Sequence, residues 1–569
     1  MIPSPGKPEP LSVAAFTAAG QPFELIDSAV RGVHCRTFRH SPRCLAQLYP
    51  AARVHGPQVL AVMEGARLTY AEVFADAAAL ASQLAARDVG SGTHVGIAMR
   101  NCPEWLVAFI AITALGAVPV LLNSRSAAAE LAYGLDYSRC RHLLTDEACA
   151  ALLASEGVAT GLDVTVVGEV PPGRPRWRSY ARSLAQGRGA LLPVTPCDPE
   201  DPALIMFTSG TTGEPKGAVL NHVGVLTALM ANQLSGALLG ARLAAGLGID
   251  TVTLARSAPR PCTLLVFPLF HTSGCLSVFL TSLARGGKIV FLPRWNVTRA
   301  LELVQQERVT ALPAVPTMLW DLLQHPDLER FDTASLTSLG SGGQALPRNL
   351  LQAIQARFPR ALLGTGYGMT ETNGMVSLTV GEEYVRHPDS AGKPLATAEI
   401  RIVDDADQEL PPGVAGEVCI RSAQNMIGYW DRPQEDARIF RGGWLHTGDV
   451  GLIDAEGFLH IISRKTDMII SGGENIYCAE VERVLTQHPQ VLEAATFGIP
   501  DTRLGEKLLA VIVARGNAAI GAAELTDFCS ARLARYKVPR EWHFDAGPLE
   551  RTATGKVLKA QVRERLYGA

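Results

Sequence analysis

Ten consecutive residues, Thr208 to Gly217 (TSGTTGEPKG), combine hydroxyls, glycines and one lysine. Glycines such as Gly210 and Gly213 allow close backbone approach. Successive free N–H groups can form a concave nest for an anion. The hydroxyls of Thr208, Ser209, Thr211 and Thr212 add donors, and Lys216 adds a mobile positive charge. Such a loop suits a polyphosphate. Lys216 is followed by Gly217 and Ala218 rather than Ser or Thr, so this is not the P-loop pattern. The chain is expected to handle a nucleotide by another route; the bland alternative is a Gly/Thr-rich surface turn.

Four further segments follow in order: GYGMTET (366–372), GWLHTGD (443–449), SRKTDMIISGGENIY (463–477) and RTATGKVLK (551–559). Together with TSGTTGEPKG they resemble the adenylate-forming superfamily of acyl-CoA synthetases, adenylation domains and luciferases. The resemblance covers nearly the whole chain and is greatest to an acyl-CoA synthetase. It implies a reaction in two halves. A carboxylate attacks the α-phosphate of ATP, giving acyl-adenylate and pyrophosphate. A thiol, usually that of coenzyme A, then displaces AMP. Bringing two anions together requires cations and oriented donors.

The resemblance also implies roles. Thr208, Ser209, Gly210, Thr211, Thr212, Gly213 and Lys216 would cradle the β- and γ-phosphates. Thr370 would contact the α-phosphate, and Glu371 would ligate Mg²⁺, a hard ion suited to carboxylate and phosphate oxygens. Tyr367 would stack on adenine beside Gly368. Gly340, Gly342 and Gly343 would form the backbone edge next to it, with Gln344 where the family often has alanine. Asp449 would accept both ribose hydroxyls, and Arg464 would reach the same ribose. Lys556 would lie between substrate carboxylate and α-phosphate during the first half-reaction. His271 would line the acyl pocket. Gly472 and Gly473 would let a pantetheine arm pass. Thr466 stands at the hinge position, where the family usually has Asp or Lys; its β-branch favours extended backbone. Taken singly, each has an ordinary reading: core packing for Tyr367 and His271, a solvated carboxylate for Glu371, turns for Asp449 and Gly472–Gly473, a surface cation for Arg464 and Lys556.

These residues need elements to hold them. A chain of 569 residues exceeds one ordinary core, so two or more domains are expected. Hydrophobic residues at 47% and charged residues at 19% fit a soluble globular protein. A net charge of −3 argues against a broad nucleic-acid surface. The eleven cysteines show no CxxC pair or Cys/His cluster and read as free thiols of a reducing compartment, hence the cytoplasm. The proline-rich N-terminus lacks an apolar core for a signal peptide. The uncharged run Trp105 to Ser124 is interrupted by Gly116 and Pro119, so it reads as a helix entering a strand rather than a membrane span.

The fold class expected is α/β. A large N-terminal domain, residues 1–465, would contain parallel-type sheets and a small β-rich subdomain from Ala391. A small mobile α+β domain would span 466–569. Residues 1–40 read as an irregular arm. Helical patterns cover 69–88 and 104–117; strand patterns cover 94–99, 118–123, 263–270, 288–292 and 310–316. In the last unit, the helical pattern AAELTDFCSARLARY follows two strands.

The acid is expected to be apolar: a medium- or long-chain fatty acid first, an alicyclic or steroid-derived acid next, an aryl acid third. The expected acyl pocket, formed near His271, TMLWDLL (317–323) and Gly374, offers Met318, Leu319 and Trp320 and no inward charge. Segment 235–250 reads as a packed helix or a pocket wall. No carrier domain follows RTATGK, so free coenzyme A or a separate carrier protein is the expected acceptor. Two other readings stand: a degenerate nucleotide- or acyl-CoA-binding regulator, and a luciferase-like oxidative second step. Pairing with a second copy is left open.

Overall fold

The computed structural model describes residues 12–158, 161–208, 215–341, 346–471, 474–516, 520–552, 555 and 557–567. Ser209, Gly210, Thr211, Thr212, Gly213, Gly342, Gly343, Gln344, Gly472, Gly473 and Lys556 lie outside these residues.

An eight-stranded sheet runs Gly428–Tyr429, Lys216–Asn221, Pro202–Thr208, Val118–Leu121, His94–Ala98, His142–Asp146, Asp163–Val167, Trp177–Ser179. From Pro202–Thr208 onward, neighbours are parallel. A parallel sheet has both faces covered, so its strands are apolar at successive positions. Every residue of Val118–Leu121 is buried accordingly. The preceding Pro103–Ala114 helix is buried nearly all round, so the apolar run from Trp105 is a core helix leading into a strand. A nine-stranded sheet has the parallel centre Val59–Met63, Lys288–Phe291, Cys262–Leu265, Ala311–Ala314, Ser338–Ser341, Leu362–Met369. The strand expected over 263–270 stops at Leu265; Pro268, which has no N–H for a ladder, lies in the loop beyond.

The β-rich part is an antiparallel five-stranded sheet of Ala398–Val403, Gly416–Ser422, Trp444–Ile453, Phe440–Arg441 and Leu459–Arg464. The expected N-terminal arm is in part a hairpin, Leu25–Val30 paired with Val33–Phe38. Its two-residue turn, Arg31-Gly32, has positive φ at both positions, the geometry that matches strand twist. Phe38 packs with Val418 and Ile420, which fixes the hairpin on this sheet.

The last unit builds its own sheet from Met468–Ser471, Glu474–Tyr477, Val491–Asp501, Gly505–Ala514 and Glu541–Asp545. Core side chains from Ile469 to Val562 form two clusters separate from those of the preceding chain. Its Ala522–Ser530 helix is shorter than the pattern suggested, ending before Arg532. Among the described residues, this unit meets the rest of the chain where the Cys478–Leu485 helix and the Glu474–Tyr477 strand approach Leu459–Arg464, where Arg515 lies 4.8 Å over the Trp320 ring, and where Gly555 abuts Val315.

Segment 235–250 belongs to one 26-residue helix, His222–Leu247, started by the Asn221 side chain and ended by Gly248 in the left-handed region. By length and composition this helix could cross a membrane, but its first half is buried in the fold. All eleven cysteines are free; nine are buried, and Cys102 and Cys197 are half-buried.

Candidate active site

Ligands of open α/β sheets bind outside the carboxyl ends of the parallel strands. There the two large sheets and the β-rich sheet enclose a cavity of about 670 Å³. Thr208 and Lys216 enter it from the eight-stranded sheet, where they face each other across an antiparallel pair. The loop between them is the glycine-threonine run. Lys216 makes a short ion pair with Glu435 and lies 5.2 Å from the centre of the Tyr429 ring.

Gly368, Thr370 and Glu371 enter at the end of the Leu362–Met369 strand. Gly368 is required there, because a Cβ would sit 1.9 Å from the Gly374 carbonyl oxygen. The chain then makes a 3-10 turn over Thr370–Thr372 and reverses at Asn373 with φ 54°. This turn points Glu371 inward, where it is buried. Its Oε1 accepts the Tyr429 hydroxyl at 2.6 Å. Oε2 has no partner among the described residues, so one oxygen on the cavity wall remains available to a hard cation. Burial, then the charge of Glu371, keeps the Tyr429 phenol protonated far above its ordinary range.

Asp449 is buried on the Trp444–Ile453 strand, opposite Arg464 on Leu459–Arg464. Arg464 Nε lies 3.0 Å from its Oδ1. Tyr367 Oη donates to its Oδ2 at 2.5 Å. Burial, then the Asp449 charge, raises the Tyr367 phenol well above its usual pKa. Beyond Arg464, Lys465 Nζ reaches Glu417 at 3.0 Å and Asp405 at 3.2 Å. Glu417 also accepts the Gly448 N–H at 3.1 Å. The chain is thus pinned up to Thr466, which lies in a 3-10 turn over Lys465–Asp467.

His271 lines the cavity after the Cys262–Leu265 strand. Burial, then the nearby charge of Arg125, brings its pKa down to about 4, so the imidazole is neutral at pH 7. Beyond it, Ser273–Leu280 forms a π-helical stretch, a widened winding that recurs at functional sites.

Of the residues singled out from the sequence, Thr208, Lys216, His271, Gly340, Gly368, Thr370, Glu371, Gly374 and Arg464 line one space. Tyr367 and Asp449 do not line it: Tyr367 packs into the core with its hydroxyl on Asp449, which is joined to the lining residue Arg464. The 317–323 segment does not join them. Leu319 is buried in the core beneath, where Met318 and Trp320 pack, and the Trp320 ring carries Arg515. Its wall is supplied instead by the His222–Leu247 helix, through Asn232, Ser235, Gly236 and Leu239. Segment 235–250 is therefore both a packed helix and a cavity wall. Tyr429, Glu435 and Asn232 were not singled out from the sequence. The GYW triplet near Tyr429 carried an aromatic signal, but its pairing with Glu371 exists only in three dimensions.

A cavity at strand ends lined by hydroxyls, a lysine, a buried carboxylate and an arginine that holds a second carboxylate suits a phosphorylated, hydroxyl-bearing ligand such as a nucleotide. The chain belongs to the AMP-binding enzyme family, whose model matches residues 49–430; the model for the family's C-terminal domain matches 480–556. It is an ATP-dependent, AMP-forming acid–thiol ligase. It is 35% identical over 522 residues to a feruloyl-CoA synthase of Amycolatopsis sp, covering 91% of this chain and 98% of that protein. It is 32% identical to the long-chain-fatty-acid–CoA ligase FadD13 of Mycobacterium tuberculosis, covering 92% and 96%. Among solved structures it resembles the anthranilate CoA ligase AuaEII in complex with anthranoyl-AMP, with TM-score 0.81, 26% identity and coverage of 92% and 98%.

Proposed function

We propose that this cavity activates an apolar carboxylic acid with ATP and passes the acyl group to free coenzyme A. The observation that carries the reading is the convergence of Thr208, Lys216, His271, Thr370, Glu371 and Arg464 on one space. In this reading the first unit ends at residue 465 and a mobile second unit begins at 466.

Lys216 and the hydroxyl of Thr208, with Ser209 to Gly213, hold the β- and γ-phosphates. The Thr370 hydroxyl donates to the α-phosphate. Glu371, with one oxygen unpartnered, fits Mg²⁺, which needs few protein carboxylates when phosphates complete its shell. When bound, the ion neutralises charge on the phosphate oxygens. Tyr367 packs against adenine beside Gly368 and Gly343. Asp449 receives the ribose hydroxyls while Arg464 fixes its orientation. Lys556 brings an ammonium between the acid and the α-phosphate, stabilising charge that develops on both. The neutral His271 shapes the entrance of the carboxylate without competing for its charge. Gly472 and Gly473 admit the pantetheine arm, and rotation about Thr466 exchanges the two half-reactions.

Leu239, Leu339, Leu378 and Val380 give the acyl end an apolar lining, which favours a fatty or alicyclic acid. The named relatives include enzymes of feruloyl, long-chain-fatty and anthranilate chemistry, so an aryl acid is the runner-up. The free thiols fit a cytoplasmic enzyme. An acid panel with ATP, Mg²⁺ and coenzyme A, read by pyrophosphate release and acyl-CoA mass, tests the reading. AMP and pyrophosphate are expected; ADP and orthophosphate, or no acid-dependent release at all, would overturn it.

A further inference from the structure

We propose that the acid selected here carries a neutral hydrogen-bonding group, a hydroxyl or a ketone, on an otherwise apolar body several bonds from its carboxylate. This rests on the acid-activating reading above and sharpens its substrate class. The His222–Leu247 helix presents Asn232, Ser235 and Leu239 to the cavity, three or four residues apart on one face. The Ser273–Leu280 helix packs beside it and presents Ser273 and Ser277, continuing to Thr281. The hydroxyls of Ser235 and Thr281 are satisfied by their own helices, at the carbonyls of Ala231 (2.9 Å) and Leu276 (3.2 Å).

Asn232, Ser273 and Ser277 are different. They are half-buried, they face the cavity, and none has a side-chain hydrogen-bond partner among the described residues. A plain hydrocarbon laid against them would strip their water and return nothing. An amide and two hydroxyls both donate and accept, so a hydroxyl or a carbonyl satisfies them. None of the three is charged, so a second carboxylate there would lack a counter-ion. Arg285 approaches within 3.7 Å of the Cβ position of Gly236 but does not line the cavity. Ser273 and Ser277 follow His271 along the chain, so the polar wall recedes from the end assigned to the carboxylate. Leu339 and Val380, from strands of the nine-stranded sheet, line the same cavity and suit the apolar remainder.

The test uses the full-length enzyme and sets of acids sharing one carbon skeleton: the parent, derivatives with one remote hydroxyl or ketone, and one with a second carboxylate. Acid-dependent pyrophosphate release gives kcat/KM for each. The hydroxy or keto acid is expected to exceed its parent by about tenfold or more, since unmet polar groups penalise the analogue that lacks the partner. Asn232→Leu and Ser277→Ala should each lower that ratio by about fivefold. Ser277→Ala removes one atom and keeps the comparison available where Asn232→Leu does not fold. A wild-type preference for the parent or the dicarboxylate, or a ratio unmoved by the variants, would overturn the proposal. Release with no discrimination sinks the substituent alone; no release from any acid sinks the acid-activating reading and this one with it.

Discussion

Tyr367 and Asp449 are joined by a 2.5 Å hydrogen bond from the phenol to Oδ2, while Arg464 holds Oδ1 at 3.0 Å. A carboxylate offers about four lone-pair sites, so each oxygen keeps one free while its orientation is fixed. Asp449→Asn turns one of those oxygens into a donor. It should weaken ATP binding by tenfold or more in calorimetric titration. Tyr367→Phe should weaken it less and cost about 1.5–3 kcal/mol of stability, the usual worth of a hydrogen bond to a charged group. Unchanged ATP affinity in Asp449→Asn would remove the ribose assignment.

Glu371 and Tyr429 form the second such pair. Glu371→Gln should lower pyrophosphate release by about 100-fold and raise the Mg²⁺ concentration needed for half-maximal rate. Tyr429→Phe leaves the carboxylate in place but frees its rotation, so a fall of about tenfold is expected. An unaltered Mg²⁺ titration in Glu371→Gln would refute the metal role.

Much of this arrangement was legible in the sequence because local chemistry wrote it. Gly368 is dictated by the Gly374 carbonyl a few residues away, and Thr370 and Glu371 follow on the same turn. The parallel sheets were legible from runs such as VPVL, apolar at every position. What could not be read was distance across the chain. Trp320 looked like a pocket aromatic, yet its partner is Arg515. Glu371 gave no hint of Tyr429, nor Lys216 of Glu435. The N-terminal hairpin was missed because residues far along the chain hold it: Val418 and Ile420 beside Phe38, and Ala423 beside Val30 and Cys35.

His222 sets an acid limit on the fold. It is buried, its Nδ1 accepts the Leu45 N–H at 3.3 Å, and burial lowers its pKa to about 4. The unfolded imidazole titrates near 6.5. Between those values the unfolded state binds the extra proton, so stability rises with pH there and is lost as pH falls from 6.5 toward 4. The full effect is about 3 kcal/mol, and His271 acts in the same direction. His222→Asn keeps an acceptor without the titration. It should flatten denaturant-derived stability between pH 4 and 6.5; an unchanged slope would count against the assignment.

Gly555 precedes Lys556 with φ 84°, and a Cβ there would lie 2.9 Å from Val315 Cγ1. Gly555→Ala therefore combines left-handed strain of roughly 1–2 kcal/mol with a clash. It should slow adenylate formation, and Lys556→Ala should abolish it while sparing thioester formation from supplied acyl-adenylate. Equal loss of both half-reactions would contradict the role given to Lys556.

Trp320→Leu removes the platform beneath Arg515 at a residue that does not line the cavity. The ranking of acids should stay as in the wild type, while the ratio of the two half-reaction rates shifts. A reordered acid profile would return Trp320 to the pocket.

An enzyme that makes acyl anhydrides and thioesters carries a hazard: its own sulfhydryls compete for the activated product. Thiolate, not thiol, is the attacking form. Burial pushes Cys140, Cys149 and Cys419 up to about 12, and Cys262, Cys478, Cys529 and the half-buried Cys197 up to about 11. Burial likewise pushes Cys275, fully enclosed, well above the ordinary thiol range. By holding these sulfurs protonated, the fold spares the protein from acylating itself and leaves the incoming acceptor as the competent nucleophile.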